Sequence, residues 1–145
     1  MRLLVQRVAS AAVRVNAKLV SSIGQGLLVF VGVGREDKED VLPIVCKKIL
    51  EMRIFEDQAG KMNLSLEDIG GEVLIVSQFT LYANCTRGRR PDFTHAADPQ
   101  HAKDLYQKLI ECFRESGVNT GEGVFGADMK VELLNDGPVT FFLEY

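Results

Sequence analysis

The chain has 145 residues, 46% of them hydrophobic and 26% charged, with a net charge of −3. This is ordinary globular composition, and a chain of this length buries roughly 68–70% of its unfolded surface, so a core needs no disulfide or metal to hold it. The acidic balance speaks against broad, sequence-blind nucleic-acid binding, and the longest apolar stretch, 26–34, is too short to cross a bilayer.

The elements follow in chain order. Residues 1–8 alternate charged and apolar side chains and lack a continuous apolar signal region, so a cytoplasmic protein with no membrane partner is expected. Strands are expected at 2–8, 13–15, 19–20 and 27–33, with turns at Asn16-Ala17 and Gly24-Gln25-Gly26. Asp37 then opens a helix in which Val41, Leu42, Val45, Ile49 and Met52 recur at helical spacing. Pro43 falls in its first turns, where a missing N–H costs least. A short strand at 53–55 precedes a turn at Asp57-Gln58-Ala59-Gly60, and Gly70-Gly71 punctuates before a strand at 72–76. A second helix starts at Asp98-Pro99, an N-cap followed by proline at the first helical position. Its apolar face is Leu105, Leu109, Ile110 and Phe113, and Gly117 ends it. The last segment runs as a strand from 129 to 134, turns at Asp136-Gly137 and returns at 139–143. The pattern predicts one domain over residues 1–145, of α/β class, with a mixed, mostly antiparallel sheet and two main helices.

Few residues are equipped for chemistry. Cys46, Cys85 and Cys112 are far apart, odd in number and without a C-x-x-C pair, so neither a disulfide framework nor a zinc site is expected, and no cofactor is. There is no nucleophile elbow, no phosphate-binding glycine loop and no H-E-x-x-H. The two histidines, His95 in a loop and His101 at a helix start, are not placed by sequence beside a nucleophile.

Two short polar segments set in apolar strands remain. Ser77-Gln78-Phe79-Thr80 closes the strand 72–76, and Asn135-Asp136-Gly137-Pro138-Val139-Thr140 sits between Val131-Glu132-Leu133-Leu134 and Phe141-Phe142-Leu143. The hydroxyls of Ser77 and Thr80 could satisfy backbone groups as the strand ends or act as nucleophiles. Alternatively, a sharp turn leaves the backbone N–H groups of Phe79 and Thr80 facing a cleft as an oxyanion hole. Gly137-Pro138 reads as a trans hairpin turn, since only about 5–6% of X–Pro bonds are cis. A cis bond would let both carbonyls face a ligand ammonium, with glycine leaving room for close approach. Arg87-Gly88-Arg89-Arg90 suits a few phosphates, although spacing alone favours a solvated loop.

Ser77-Gln78-Phe79-Thr80-Leu81 and Asn135-Asp136-Gly137-Pro138-Val139-Thr140 resemble the two signature motifs of the D-aminoacyl-tRNA deacylases. Val5-Gln6-Arg7-Val8, Arg53-Ile54-Phe55-Glu56-Asp57, Gly60-Lys61-Met62-Asn63-Leu64-Ser65 and 123–129 also look like family sequence, so the resemblance covers essentially the whole chain. It implies a cytoplasmic homodimer that cleaves the ester between a D-amino acid and the 3′-terminal adenosine of tRNA. It also implies that glycyl-tRNA is a second substrate and that L-amino acids are rejected. By the same resemblance, the Gly137-Pro138 dipeptide, cis, enters the partner subunit's site and holds the substrate amino group. Phe79 and Thr80 supply backbone donors within the Ser77-Gln78 motif, and the ribose 2′-hydroxyl assists. Arg7 locks the Gly-Pro segment, Phe125 and Met129 line the pocket, and Arg87, Arg89 and Arg90 meet the tRNA. A related deacylase acting on L-alanine carries Pro-Gln-Ala-Thr in place of the first motif, so this chain sides with the D-specific group.

Overall fold

A computed structural model describes residues 1–86 and 88–145. The fold is mixed α/β: β1 (Arg2–Val15), β2 (Lys18–Ile23), β3 (Gly26–Gly32), α1 (Leu42–Glu51), β4 (Phe55–Glu56), β5 (Met62–Leu64), β6 (Glu72–Ser77), α2 (Pro99–Glu115), β7 (Thr120–Glu122) and β8 (Lys130–Glu144). Along one edge β1 pairs antiparallel with β3 and then with β2, and along its other edge it pairs antiparallel with β8. β6 joins β3 in parallel, β7 joins β6 in parallel, and β4 and β5 form a separate antiparallel pair. The sheet curls until β7 approaches β2. A Cβ at Gly121 would press on the Ser21 hydroxyl and come within 3.1 Å of Leu74 Cδ1, so glycine lets the two strands meet without moving these side chains.

Strand alternation splits the core in two. Leu27, Val29 and Val31 of β3 and Val73 and Ile75 of β6 face the helices, where they pack with Val45 and Ile49 of α1 and Leu105, Leu109 and Phe113 of α2. Leu28, Leu74 and Val76 face the inside of the curl with Val8, Val13 and Ile23. Strands buried on both faces explain the unbroken apolar runs at 26–34 and 72–76.

Several expected boundaries are corrected. The strands at 2–8 and 13–15 are one strand, since β8 pairs along both halves of β1 and absorbs irregularities near Arg7 and Ala9. Asp37 does not open α1; its carboxylate accepts the Gly34 N–H at 2.7 Å and the Met1 amine at 2.6 Å, and a 3-10 turn at Glu39–Val41 leads into the helix at Leu42. Asp98 does cap α2, accepting the N–H groups of Gln100 and His101 at 3.1 Å each.

The largest correction concerns residues 129–143. They do not form a hairpin. Ser10 pairs with Leu134, Val8 with Asn135 and Gln6 with Thr140, so both flanks run in the same direction along β1. Asp136, Gly137, Pro138 and Val139 all stand opposite Arg7 and loop out as a wide bulge. Turn residues in the sequence mark a bulge as readily as a reversal, and only the shared partner strand tells the two apart.

Candidate active site

β6 ends at Ser77, and the Gln78 N–H still reaches the β3 ladder, donating to Val31 O at 2.7 Å. The chain then breaks from extended geometry into a 3-10 turn at Phe79–Tyr82. The first N–H groups of such a turn have no acceptor within it. Those of Phe79 and Thr80 find none elsewhere among the described residues, whereas Leu81 N donates back to Gln78 O at 3.2 Å. Thr80 is exposed and its hydroxyl accepts from the Gln78 side-chain amide. No histidine serves either hydroxyl among the described residues; the His101 ring contacts Asp37 O at 2.9 Å, and His95 is exposed.

The turn is braced from behind. The Arg2 guanidinium donates to Leu81 O at 3.1 Å and lies 4.5 Å from the centre of the Tyr82 ring. Burial, and then the nearby Asp37 carboxylate, push the Tyr82 phenol up to about 12.

In front of the turn is a cavity of about 490 Å³. Ser77, Gln78 and Phe79 form one wall, Phe125 and Met129 a second, and Pro99, Ala102 and Tyr106 of α2 a third. Tyr106 is buried and donates its hydroxyl to Ile75 O at 2.8 Å. Burial raises its phenol well above the ordinary range, so it stands in the wall as a neutral group. Its ring lies 5.8 Å from that of Phe125, and the Met129 sulfur accepts the Val124 N–H at 3.3 Å. The walls are mostly apolar with a few backbone and side-chain polar groups at one end, the usual make-up of a small-molecule site.

The bulge lies apart from this cavity. Gly137 and Pro138 are exposed and do not line it. The peptide between them is cis, and Gly137 has φ +124°. Arg7, 3% exposed, holds the base of the bulge. Its guanidinium donates to Asp136 O at 3.1 Å and Ile54 O at 2.7 Å, and ion-pairs with Asp136 at 3.1 Å and Glu56 at 3.6 Å. Asn135 closes the bulge from the other side, its amide donating to Arg7 O at 2.9 Å and Val139 O at 3.0 Å.

The structure therefore gathers Ser77, Gln78, Phe79, Phe125 and Met129 on one cavity, with Thr80 beside it on the same turn. It gathers Arg7, Gly137 and Pro138 at a second place. Arg89 and Arg90 are exposed on a separate loop, and Arg87 lies outside the described residues. Sequence reasoning did not single out Tyr106 or the Asn135 side chain. Tyr106 could have been found from its spacing to Leu109 and Phe113. The Asn135 amide was missed because one of its two main-chain partners, Arg7 O, is 128 residues away. Among the described residues no cluster of three or more His, Cys, Asp or Glu suits a metal ion.

A family model described as D-Tyr-tRNA(Tyr) deacylase matches residues 4–144. The chain belongs to that family. It is 51% identical to the D-aminoacyl-tRNA deacylase of Dictyoglomus turgidum over 99% of its length and 92% of that protein. It is 54% identical to the D-aminoacyl-tRNA deacylase of Thermotoga petrophila, covering 99% and 97% of the two chains. Among solved structures, a c-Myc DNA unwinding element binding protein superimposes with a TM-score of 0.93 at 40% identity, over 100% of this chain and 99% of the other. A probable eukaryotic D-amino acid tRNA deacylase shares the fold, with a TM-score of 0.83 at 21% identity over 98% and 97%. Family membership makes the chain a hydrolase of translation proofreading with D-aminoacyl-tRNA as its substrate. No helix among the described residues is long and apolar enough to cross a membrane.

Proposed function

We propose that this enzyme works as a cytoplasmic homodimer in which the Gly137-Pro138 bulge of one subunit reaches into the cavity of the other. The observation that supports this reading is the separation of the two motifs. The cavity is lined without Gly137 or Pro138, and the bulge that carries them is exposed away from the cavity of its own chain. A second copy supplies what the first lacks.

In this reading the ester carbonyl of the substrate lies against the N–H groups of Phe79 and Thr80. These donors stabilise the negative charge that develops as the carbonyl is attacked; losing one such donor typically costs ~2.7–4 kcal/mol of transition-state stabilisation. The terminal ribose 2′-hydroxyl assists the attack of water, so no protein side chain is needed as nucleophile. Phe125 and Met129 pack the substrate, with Ser77 and Gln78 shaping the turn. The partner subunit's Gly137 and Pro138 carbonyls accept the amino group and fill the space an L side chain would need. D-amino acids and achiral glycine pass the filter. Such a pocket grips only the amino acid's backbone, so it reads chirality and ignores side-chain identity.

The test is a hydrolysis time course of D-tyrosyl-, L-tyrosyl- and glycyl-tRNA. Loss of the D and glycyl esters with the L ester untouched is expected. Hydrolysis of both enantiomers would remove the exclusion argument. Absence of any turnover would favour a plain nucleic-acid-binding role, the role in the name of the 40%-identical DNA unwinding element binding protein.

A further inference from the structure

The rim of the cavity carries a feature that the ester chemistry does not use. Phe79 is 57% exposed, and its ring packs against that of Phe93 with centroids 5.0 Å apart and planes inclined at 59°. Phe79 also lines the cavity, so the ring pair begins where the cavity opens.

Phe93 stands on a braced piece of chain. Asn84 and Asp92 exchange two main-chain hydrogen bonds of 2.7 and 3.0 Å. The Asp92 carboxylate accepts the Thr94 N–H at 3.0 Å and also the Thr94 hydroxyl, so its charge is engaged within its own turn. The Phe93 carbonyl accepts the Ala96 N–H at 2.9 Å. The loop closed by Asn84 and Asp92 carries Arg87, Arg89 and Arg90, of which Arg89 and Arg90 are described and exposed. In a chain of net charge −3, segment 84–95 holds three arginines against one aspartate. Phe93 is half-buried, so Phe79 offers the more open ring. Aromatic rings followed by guanidinium groups along the same loop are a combination that grips unpaired nucleic acid, with bases stacking on rings and phosphates meeting cations.

We infer that Phe79 and Phe93 form a stacking platform for the base that precedes the terminal adenosine, with the phosphates of that single strand directed toward Arg89 and Arg90. This rests on the deacylase reading above. The scissile ester sits on the last nucleotide of an unpaired 3′ strand, so a terminal nucleoside seated in the cavity puts its neighbour at the rim.

The experiment crosses Phe93→Leu with two substrates, D-tyrosyl-tRNA and the D-tyrosyl ester of adenosine alone. The variant is expected to raise KM for the tRNA substrate about 5- to 150-fold, the range for losing one base–aromatic stack, with kcat held. The adenosine ester should be hydrolysed as by wild type, and Phe93→Tyr should restore the tRNA substrate. An equal loss on both substrates would show a merely structural ring, and no loss on either would remove the platform; each overturns the inference. A second measurement needs no variant: lengthening the adenosine ester by one 5′ nucleotide should lower the wild-type KM by a similar factor, and an unchanged KM overturns the inference. Failure of wild type to cleave any of these esters would instead strike the deacylase reading itself.

Discussion

The guanidinium of Arg7 and the main-chain carbonyl of Asp136 lie 3.1 Å apart, joining the first strand of the fold to the bulge in its last. Arg7 pairs with Leu27 of β3 but has no partner in β8, where it faces this bulge. A strand that loses its pairing there leaves polar groups to be satisfied, and a buried arginine with four acceptors around it meets that need. The bulge is thereby an arm of fixed shape.

Replacing Arg7 with Met tests this arm. The change leaves Ile54 O and Asp136 O without their donor, and hydrogen bonds to a charged group contribute about 1.5–3 kcal/mol each. A loss of roughly that size is expected in a urea melt, with faster amide exchange around residues 136–139. Deacylation of D-tyrosyl-tRNA should fall further than stability alone explains. Unchanged exchange at the bulge would show that Arg7 does not hold it.

Gly137→Ala addresses the tip of the arm. The residue has φ +124°, and an added Cβ would lie 2.7 Å from Val139 Cγ2 and 3.1 Å from Arg7 Nη2. Strain of about 1–3 kcal/mol follows from the backbone conformation. Folding should survive, since the segment is exposed, but D-tyrosyl-tRNA hydrolysis should drop by at least about tenfold, as expected of a crowded, displaced site group. Wild-type rates in a folded variant would remove Gly137 from the site.

Thr80→Ala should keep most of the activity. The hydroxyl is already engaged by the Gln78 amide, no histidine pairs with it, and the proposed donor is the backbone N–H, which alanine retains. A drop of several orders of magnitude in kcat, with an unchanged melting curve, would instead make Thr80 a nucleophile.

How much of this was legible in the sequence depends on the range of the physics involved. α2 was readable because its cap, its proline and its apolar spacing are all local. β3 and β6 were readable because burial on both faces leaves an unbroken apolar run. β7 was missed: Thr120-Gly121-Glu122 has no apolar signature and is a strand only because β6 lies beside it. The hairpin expected at Asp136-Gly137 is a bulge for the same kind of reason, since β1 decides the direction of the returning chain. The two motifs announced themselves as polar breaks in strands. Tyr106, Phe93 and the Asn135 clamp act across the fold, and their partners are 31, 14 and 128 residues away in sequence.

The dimer predicted above should be visible on β8. Leu134 is 62% and Phe142 52% exposed on the two flanks of the bulge, and β1 is the only strand that β8 pairs with among the described residues. Large apolar side chains on an uncovered strand mark an interaction surface. Sedimentation should give twice the chain mass for wild type. Leu134→Glu should give monomer that melts cooperatively yet has lost D-tyrosyl-tRNA hydrolysis, because each cavity then lacks the other subunit's Gly137-Pro138. Full activity in that monomer would refute the shared site.

Alkaline pH should weaken the fold in two separable steps. Burial raises the Cys46 thiol from 9.0 to about 11, and burial with Asp37 raises the Tyr82 phenol from 10.0 to about 12. Both groups are neutral when protonated, and both hold their proton more tightly folded than unfolded. The unfolded chain therefore ionises first, and stability falls as pH rises through the gap between the two values. The fall should begin near pH 9 with the thiols of Cys46 and Cys112 and continue from about pH 10 with the phenols of Tyr82 and Tyr106, all of which burial pushes up. In Cys46→Ala the decline between pH 9 and 10 should be shallower, since of the two thiols that burial pushes up only Cys112 is left. Melting temperatures recorded every half unit on both proteins, under a reductant, decide the matter. Superimposable slopes between pH 9 and 10 would show that Cys46 is not the group responsible for the first step.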